Sequence, residues 1–323
     1  MSLTLDDLFE SPDHYLQSFE GDAAIFVPMD RPAYHRSIFL DHRISPAANR
    51  SMRLPLSALS GEARPPAKTG WIFHVAHCGS TLLARALDDP GLNLVLREPL
   101  ALRQLAFDRD PKRLPLTAAM LSKRYREDLP TIVKANVPVN FLLPELVALD
   151  RQAPAIFLYS SLRDYLLAIL RSENHRGWLH RVTAQLAAYL GDLSNLSDAE
   201  RCAALWLAQM RAFGQAISLM PNARALDAEA FFAAPGQTLH AAAALLAVPM
   251  SESAIDATVA GPLFATYSKN PEMPFDNEAR LARRAELEEP LAPELAEGQR
   301  WIEAEAGESA PEASKLARAR LAA

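Results

Sequence analysis

Residues Trp71 to Asp89 read W-I-F-H-V-A-H-C-G-S-T-L-L-A-R-A-L-D-D. Trp71–Ala76 is a mostly apolar run of strand length, and Thr81–Leu87 has a helical pattern. The polar turn between them holds one glycine, Gly79. A buried strand feeding a tight turn and a helix gathers backbone N–H groups, the hydroxyls of Ser80 and Thr81 and the positive helix end at one point. Such a point binds a phosphate or sulfate. An ordinary strand-to-helix turn with a serine cap would read the same locally, so the rest of the chain has to separate the two.

Outward from this stretch, apolar runs recur at Leu92–Leu96, Thr131–Ala135 and Ala155–Tyr159. Helical patterns follow them at Leu100–Phe107, Phe141–Leu149 and Leu162–Leu170. Apolar strands alternating with helices predict a three-layer α/β/α domain with a central, mainly parallel sheet. That domain is expected over residues 66–275, with a short returning strand near Arg224–Leu226. Ser197 and Glu200 form a capping box ahead of Cys202, Trp206, Met210, Phe213 and Ile217, a core stripe at helical spacing. Cys202 reads as part of that core.

Residues 1–65 are expected to form a small β-rich element from the runs Ala23–Pro28, Ser37–Leu40 and Met52–Leu56, joined through a linker at Gly61–Gly70. Residues 276–323 read as a charged, alanine-rich helical tail broken by Pro290, Pro293 and Pro311.

The chain has 323 residues, half of them apolar, which suffices for a large buried core. Net charge is −6, with 33 Lys and Arg against 39 Asp and Glu. This balance argues against a general nucleic-acid binder. Only six of the basic residues are lysine; GC-rich coding bias accounts for that, as would a preference for guanidinium groups. Two cysteines, Cys78 and Cys202, fit a reducing compartment. No signal peptide is read in Met1–Glu10, and Ala241–Val248 is too short to cross a bilayer. A cytoplasmic protein without a membrane partner is therefore expected.

The turn after Trp71–Ala76 is not G-x-x-x-x-G-K-[ST], because Ser80 follows Gly79 where that motif has its lysine. His77-Cys78-Gly79-Ser80-Thr81-Leu82-Leu83 resembles instead the loop of sulfotransferases that use 3′-phosphoadenosine 5′-phosphosulfate (PAPS). In that family a strand, [K/R]-S-G-[T/S]-T-x-L and a helix surround the 5′-phosphosulfate. The resemblance implies a P-loop-type fold of the bacterial sulfotransferase-like kind. Gly79, Ser80 and Thr81 match, whereas His77 stands where the family has Lys or Arg near the bridging oxygen. A histidine there is charged only conditionally, its ordinary pKa being about 6.5.

Two further segments extend the resemblance. Leu94–Pro99 ends in Arg97-Glu98-Pro99, as bacterial sulfotransferase-like chains often do, and implies Glu98 as the base that deprotonates the acceptor. Glu98 could equally cap the next helix and pair with Arg97 or Arg103. Ala155–Ser172 is similar to the family's second nucleotide segment, with Arg163-Asp164 matching its R-D pair. In that register Ser160 replaces a phosphate-binding Arg and Ala168 a Ser, while Arg171, Ser172 and Arg176 follow as substitutes. Arg163 also fits a surface ion pair.

Lys134, with Asn136, puts a cation at the same sheet edge, where it would join His77 in neutralising the leaving group. A lysine at a strand end also commonly just reaches solvent. Thr266–Pro271, carrying Ser268 and Lys269, resembles the late loop that closes over the nucleotide, and an ordinary surface loop reads the same.

The histidines show no metal-ligand spacing, so no metal is expected. His74, in mid-strand, reads as buried rather than functional. No G-x-S-x-G elbow is present. The expected function is sulfuryl transfer from PAPS to a hydroxyl or amine. The alternatives are a phosphotransferase of the same fold and a non-catalytic anion-binding protein. Neither the acceptor nor the oligomeric state can be read from these motifs, because variable loops build acceptor pockets.

Overall fold

The chain opens with helix Leu5–Glu10 and an antiparallel sheet of β1 (His14–Glu20), β2 (Ala23–Pro28) and β3 (Met52–Pro55). Two of these strands are the expected apolar runs, but β1 is not. Its sequence H-Y-L-Q-S-F-E buries only Tyr15, Leu16 and Phe19 around a bulge between Leu16 and Ser18, which breaks the period-two pattern. The expected strand at Ser37–Leu40 is instead irregular chain laid against the next sheet. Leu40 N–H donates to the Arg97 carbonyl at 2.7 Å.

The computed structural model describes residues 4–59, 64–306 and 315–321. Residues 1–3, residues 61–63 of the expected linker, and Pro311 lie outside them. The end of that linker is not loop, since Thr69 and Gly70 begin the first strand of the main sheet.

That sheet consists of β4 (Thr69–His74), β5 (Leu94–Arg97), β6 (Thr131–Lys134), β7 (Ala155–Tyr159) and β8 (Ala223–Asp227). Their order is β5-β6-β4-β7-β8, and every neighbouring pair is parallel. Helices flank the sheet, and the returning strand expected near Arg224–Leu226 is β8. The chain steps from β4 to the β5 edge, returns through β6, then crosses to β7. This reversal beside β4 opens a crevice at the carboxyl ends of β4, β6 and β7, where α/β sheets hold ligands.

A run of ring contacts ties the layers together. Trp71 lies 5.7 Å from Phe73, Phe73 5.3 Å from Phe157 on β7, and Phe157 5.0 Å from Phe213 on helix Asp198–Leu219. That helix begins with the Ser197/Glu200 capping box, and Cys202 is wholly buried within it. One continuous apolar core runs from Leu8 on the first helix to Leu321.

The C-terminal segment differs from expectation. Helix Asn277–Ala306 runs through Pro290 and Pro293 without a break. Proline removes a donor and crowds the preceding turn, but here packing outweighs that local cost. Leu287, Leu291, Leu295 and Ile302 join the core, and Gly298 lets Leu166 approach to 2.9 Å from where a Cβ would stand. Beyond it, Ala225 on β8 bonds to Ala319 and Leu321 at the sheet edge. Among the described residues no helix is long and apolar enough to cross a membrane.

Candidate functional site

The chain leaves β4 at His74 and turns sharply. Ala76 (φ 74°) and His77 (φ 51°) are left-handed, and Gly79 (φ 86°) caps helix Ser80–Ala86. Among the described residues five non-glycines have positive φ, and Ala76, His77 and Glu98 all stand at this sheet edge. Strain of this kind is held only where the surrounding structure enforces it, and it clusters at functional sites.

The turn leaves its donors free. The N–H groups of His77, Cys78 and Gly79 have no backbone acceptor among the described residues. Thr81 Oγ1 is buried without a partner, and an anion's oxygen could accept its hydrogen. Glycine is required at position 79 twice over, by its φ and because a Cβ would lie 2.8 Å from the Phe232 ring. Cys78 contributes only its backbone: its thiol is buried, and burial pushes its pKa up to about 11.

Two cavities open beside the turn. The first is lined by the turn itself, by Ser160, Ala168 and Arg171, and by Arg280, Arg283 and Arg284 of helix Asn277–Ala306. Its carboxylates are already engaged. Arg280 forks onto Glu229 at 2.7 and 2.8 Å, and Arg284 reaches Glu229 at 2.8 Å and also pairs with Asp164. Arg171 and Arg283 have no carboxylate partner among the described residues. Burial lowers the Arg171 pKa, and Arg283 nearby adds to that.

The second cavity is lined by Phe39, Arg43, His74, Glu98, Asn136 and Trp178 among others. The two cavities share a wall, for His77, His175 and Lys269 line both. His175 is fixed there, with Arg171 Nη2 2.9 Å from its Nε2 and Ser172 Oγ 2.5 Å from its Nδ1. Burial, then Arg171 and Lys269, push its pKa down to about 4.

Behind the wall of the second cavity, Lys134 Nζ lies 2.5 Å from Oε1 of the lining residue Glu98. Lys134 is fully buried and lines neither cavity, so it acts through Glu98. Among the described residues Glu98 Oε2 has no hydrogen-bond partner and is left to the cavity. His74 completes the cluster, its Nε2 3.1 Å from Lys134 Nζ and 4.0 Å from Glu98 Oε1. Burial, reinforced by Lys134 and Lys269, holds its pKa well below 6.5. The ring is therefore neutral; its Nδ1 lies 3.0 Å from the Ala76 nitrogen and its Nε2 3.1 Å from the Lys134 ammonium, and a neutral ring accepts from only one of these two donors. His74 is thus buried, as expected, but belongs to the site.

Glu98 pairs with neither Arg97 nor Arg103. Arg97 points the other way, buried against Asp88 and donating to the carbonyls of Tyr34 (2.6 Å) and Ser37 (2.7 Å). Adjacent strand residues face opposite sides of the sheet, which separates the two.

The other expected residues divide. Ser80, Ser160, Ser268 and Lys269 line the first cavity with His77 and Thr81. Ser268 and Lys269 form the turn between β9 (Thr266–Tyr267) and β10 (Asn270–Pro274). Arg85 fastens that turn to the helix by donating to the Ser268 carbonyl at 2.9 Å. Lys269 is exposed by area on its turn, yet its charged end reaches inward; burial lowers its pKa while Glu98 opposes the shift.

Arg163 is exposed, pairs with Glu288 at 2.7 Å and lines neither cavity. One residue along a helix turns the side chain by about 100°, so its neighbour Asp164 faces the first cavity instead. Ser172 lines neither cavity but orients His175. Arg176 is occupied by Glu294 and Asp198. Of the three suggested substitutes only Arg171 reaches the first cavity.

His77 itself differs from a fixed cation. Burial, then Lys269, His175 and Arg171, hold its pKa well below 6.5, so it is neutral in the free protein. Its ring lies 4.7 Å from that of His175 and edge-on to Trp178 at 5.6 Å. Arg171 and Arg283 carry the permanent charge, since a guanidinium stays protonated.

Sequence reasoning missed Arg280, Arg283 and Arg284, because nothing in a charged helical tail says which face returns to the sheet. Among the described residues no group of three His, Cys, Asp or Glu could hold a metal ion. No protein-family model and no curated protein matches this chain.

Proposed function

We propose that this chain has a P-loop-type fold and transfers a sulfuryl group from PAPS to a hydroxyl or amine of a small acceptor. The observation that carries the reading is the pair of cavities meeting at His77 and Lys269. One side offers free N–H donors and surplus guanidinium groups, and the other a carboxylate with one unpaired oxygen. A transfer reaction needs these two sides, donor and acceptor, around one point.

In this scheme the turn His77–Thr81 holds the phosphosulfate, and Arg171 and Arg283 face the nucleotide's other phosphate. Glu98 Oε2 takes the acceptor's proton as the acceptor oxygen or nitrogen attacks sulfur. The bond from sulfur to the bridging oxygen breaks, and its electron pair stays on the 5′-phosphate. The turn's N–H groups and Lys269 stabilise that growing charge, already oriented before reaction. The anion also favours a proton on His77, which the free protein does not hold.

A phosphotransferase would need a phosphate-clamping lysine where Ser80 stands. A purely binding role leaves the strained backbone at Glu98 and its buried partner unexplained. Calorimetry with 3′-phosphoadenosine 5′-phosphate (PAP), ADP and AMP tests the reading. PAP binding tightest supports it; ADP binding tighter than PAP, or no nucleotide binding, overturns it.

A further inference from the structure

We infer that the acceptor carries an oxyanion, a carboxylate or a phosphate, at the end opposite its reacting hydroxyl or amine. The inference rests on the sulfuryl-transfer reading for the reaction and on the second cavity for the acceptor's chemistry.

The charges lining that cavity do not cancel. Arg43 takes Asp41 with both ends of its guanidinium, at 2.9 and 2.5 Å, and Lys134 takes Glu98. Each carboxylate is therefore paired already. Arg103, on helix Leu100–Asp108, and Arg181, on helix Glu173–Gln185, also line the cavity and have no carboxylate partner among the described residues. Arg103 Nη2 donates to Gln185 Oε1 at 3.0 Å. A neutral amide thus holds the guanidinium in place across two helices and leaves its charge uncompensated. A positioned guanidinium fork is suited to a planar or tetrahedral oxyanion.

A second feature marks the reacting end. Asn136 is buried on the same wall, and its Oδ1 has no hydrogen-bond partner. An acceptor-only oxygen needs a donor, which the second N–H of an amine supplies while Glu98 takes the first; a hydroxyl has one proton, and that goes to Glu98. Phe39, Val137, Trp178 and Val182 give the cavity apolar surface for a hydrocarbon or ring body. Glu98 and Arg103 lie on one short stretch, a strand end running straight into a helix, so both ends of the acceptor are gripped by a rigid unit.

The test uses sets of small hydroxy and amino compounds that share one carbon frame and differ at the far end: carboxylate, phosphate monoester or neutral amide. Each set is titrated into the full chain with and without PAP. An anionic member should bind about tenfold or more tightly than its amide, the worth of a hydrogen-bonded charge. Which anion binds tighter separates carboxylate from phosphate acceptors. The Arg103→Gln/Arg181→Gln double variant should bring the ratio to about one. Arg181→Gln alone, at an exposed side chain, should reduce it should the double variant not fold.

No preference for the anion in any set, no binding at all, or a preference that survives these substitutions overturns the inference. PAP binding without anion preference removes this inference and leaves sulfuryl transfer standing. Arginine-dependent anion preference without PAP binding does the reverse.

Discussion

Lys134 and Glu98 stand at the ends of neighbouring parallel strands and meet twice. Their side chains pair at 2.5 Å, and the Glu98 N–H donates to the Lys134 carbonyl at 2.7 Å. A fully buried ammonium is tolerated because this carboxylate answers it. Glu98→Gln and Lys134→Met should each lower stability by about 3 kcal/mol, the cost of stranding one buried charge. The double variant should lose much less than the sum. Glu98→Gln should also slow transfer by roughly 10²–10⁴-fold, as loss of a general base does. Urea unfolding of the four proteins reads the coupling; additive losses would mean that the pair is not coupled.

Thr81 separates stability from binding. Its hydroxyl is buried and unpartnered in the free protein, a condition that costs about 1–3 kcal/mol. Thr81→Val keeps the shape and removes the orphan, so the free protein should become more stable by about 1 kcal/mol. Anion affinity should fall instead, since the hydroxyl's partner arrives with the ligand. Denaturant midpoints and PAP titrations should move in opposite senses; movement in the same sense would mean that Thr81 does not meet the ligand.

Gly79→Ala should destabilise by about 1–3 kcal/mol through its left-handed backbone, with a further cost from the 2.8 Å approach of Phe232. Adding Phe232→Leu should recover only the clash. Full recovery in thermal melts would show that φ carries no strain there.

His77 gives a signed pH dependence. Its pKa lies well below 6.5 in the free protein, and a bound anion raises it. Binding therefore takes up a proton at pH values between the free and liganded pKa. Affinity should rise as pH falls through the liganded value and level off below the free one. His77→Ala and His77→Lys should both flatten the curve. Calorimetry in two buffers of different ionisation enthalpy measures the uptake, and zero uptake would leave His77 neutral throughout.

Lys123 supplies an independent pH signature remote from the cavities. It is buried under the N-terminal element, donating to the carbonyls of Leu8 at 3.0 Å and of His14. Burial lowers its pKa to about 7, with Asp13 opposing. The unfolded chain, with an ordinary lysine value near 10.5, then binds more protons between those two values. Stability should accordingly rise with pH from about 7 toward 10, and that slope should be weaker in Lys123→Met. Equal slopes in the two proteins would show that Lys123 keeps an ordinary pKa.

Much of the architecture is written locally. The apolar runs of β4 to β7, the glycine turn at Gly79 and the Ser197/Glu200 capping box each follow from composition and period, because burial on both faces of a parallel sheet demands continuous apolar strands. The free N–H groups of the turn follow from the same short stretch. So does Glu98 at a strand's carboxyl end.

Partnership is a different matter. That Glu98 meets Lys134 while Arg97 turns to Asp88 depends on β6 lying beside β5. That Asp164 faces the cavity while Arg163 faces solvent depends on which side of its helix packs inward. Arg280, Arg283 and Arg284 line the first cavity because a helix carrying two prolines is held against the core by Leu287, Leu291 and Leu295. His74 became part of the site because β6 brought Lys134 alongside it. Periodicity records whether a side chain is buried, and the chain's own sequence determined that much. Which charge stands opposite it is decided by strand order and helix docking, over separations that local pattern does not encode.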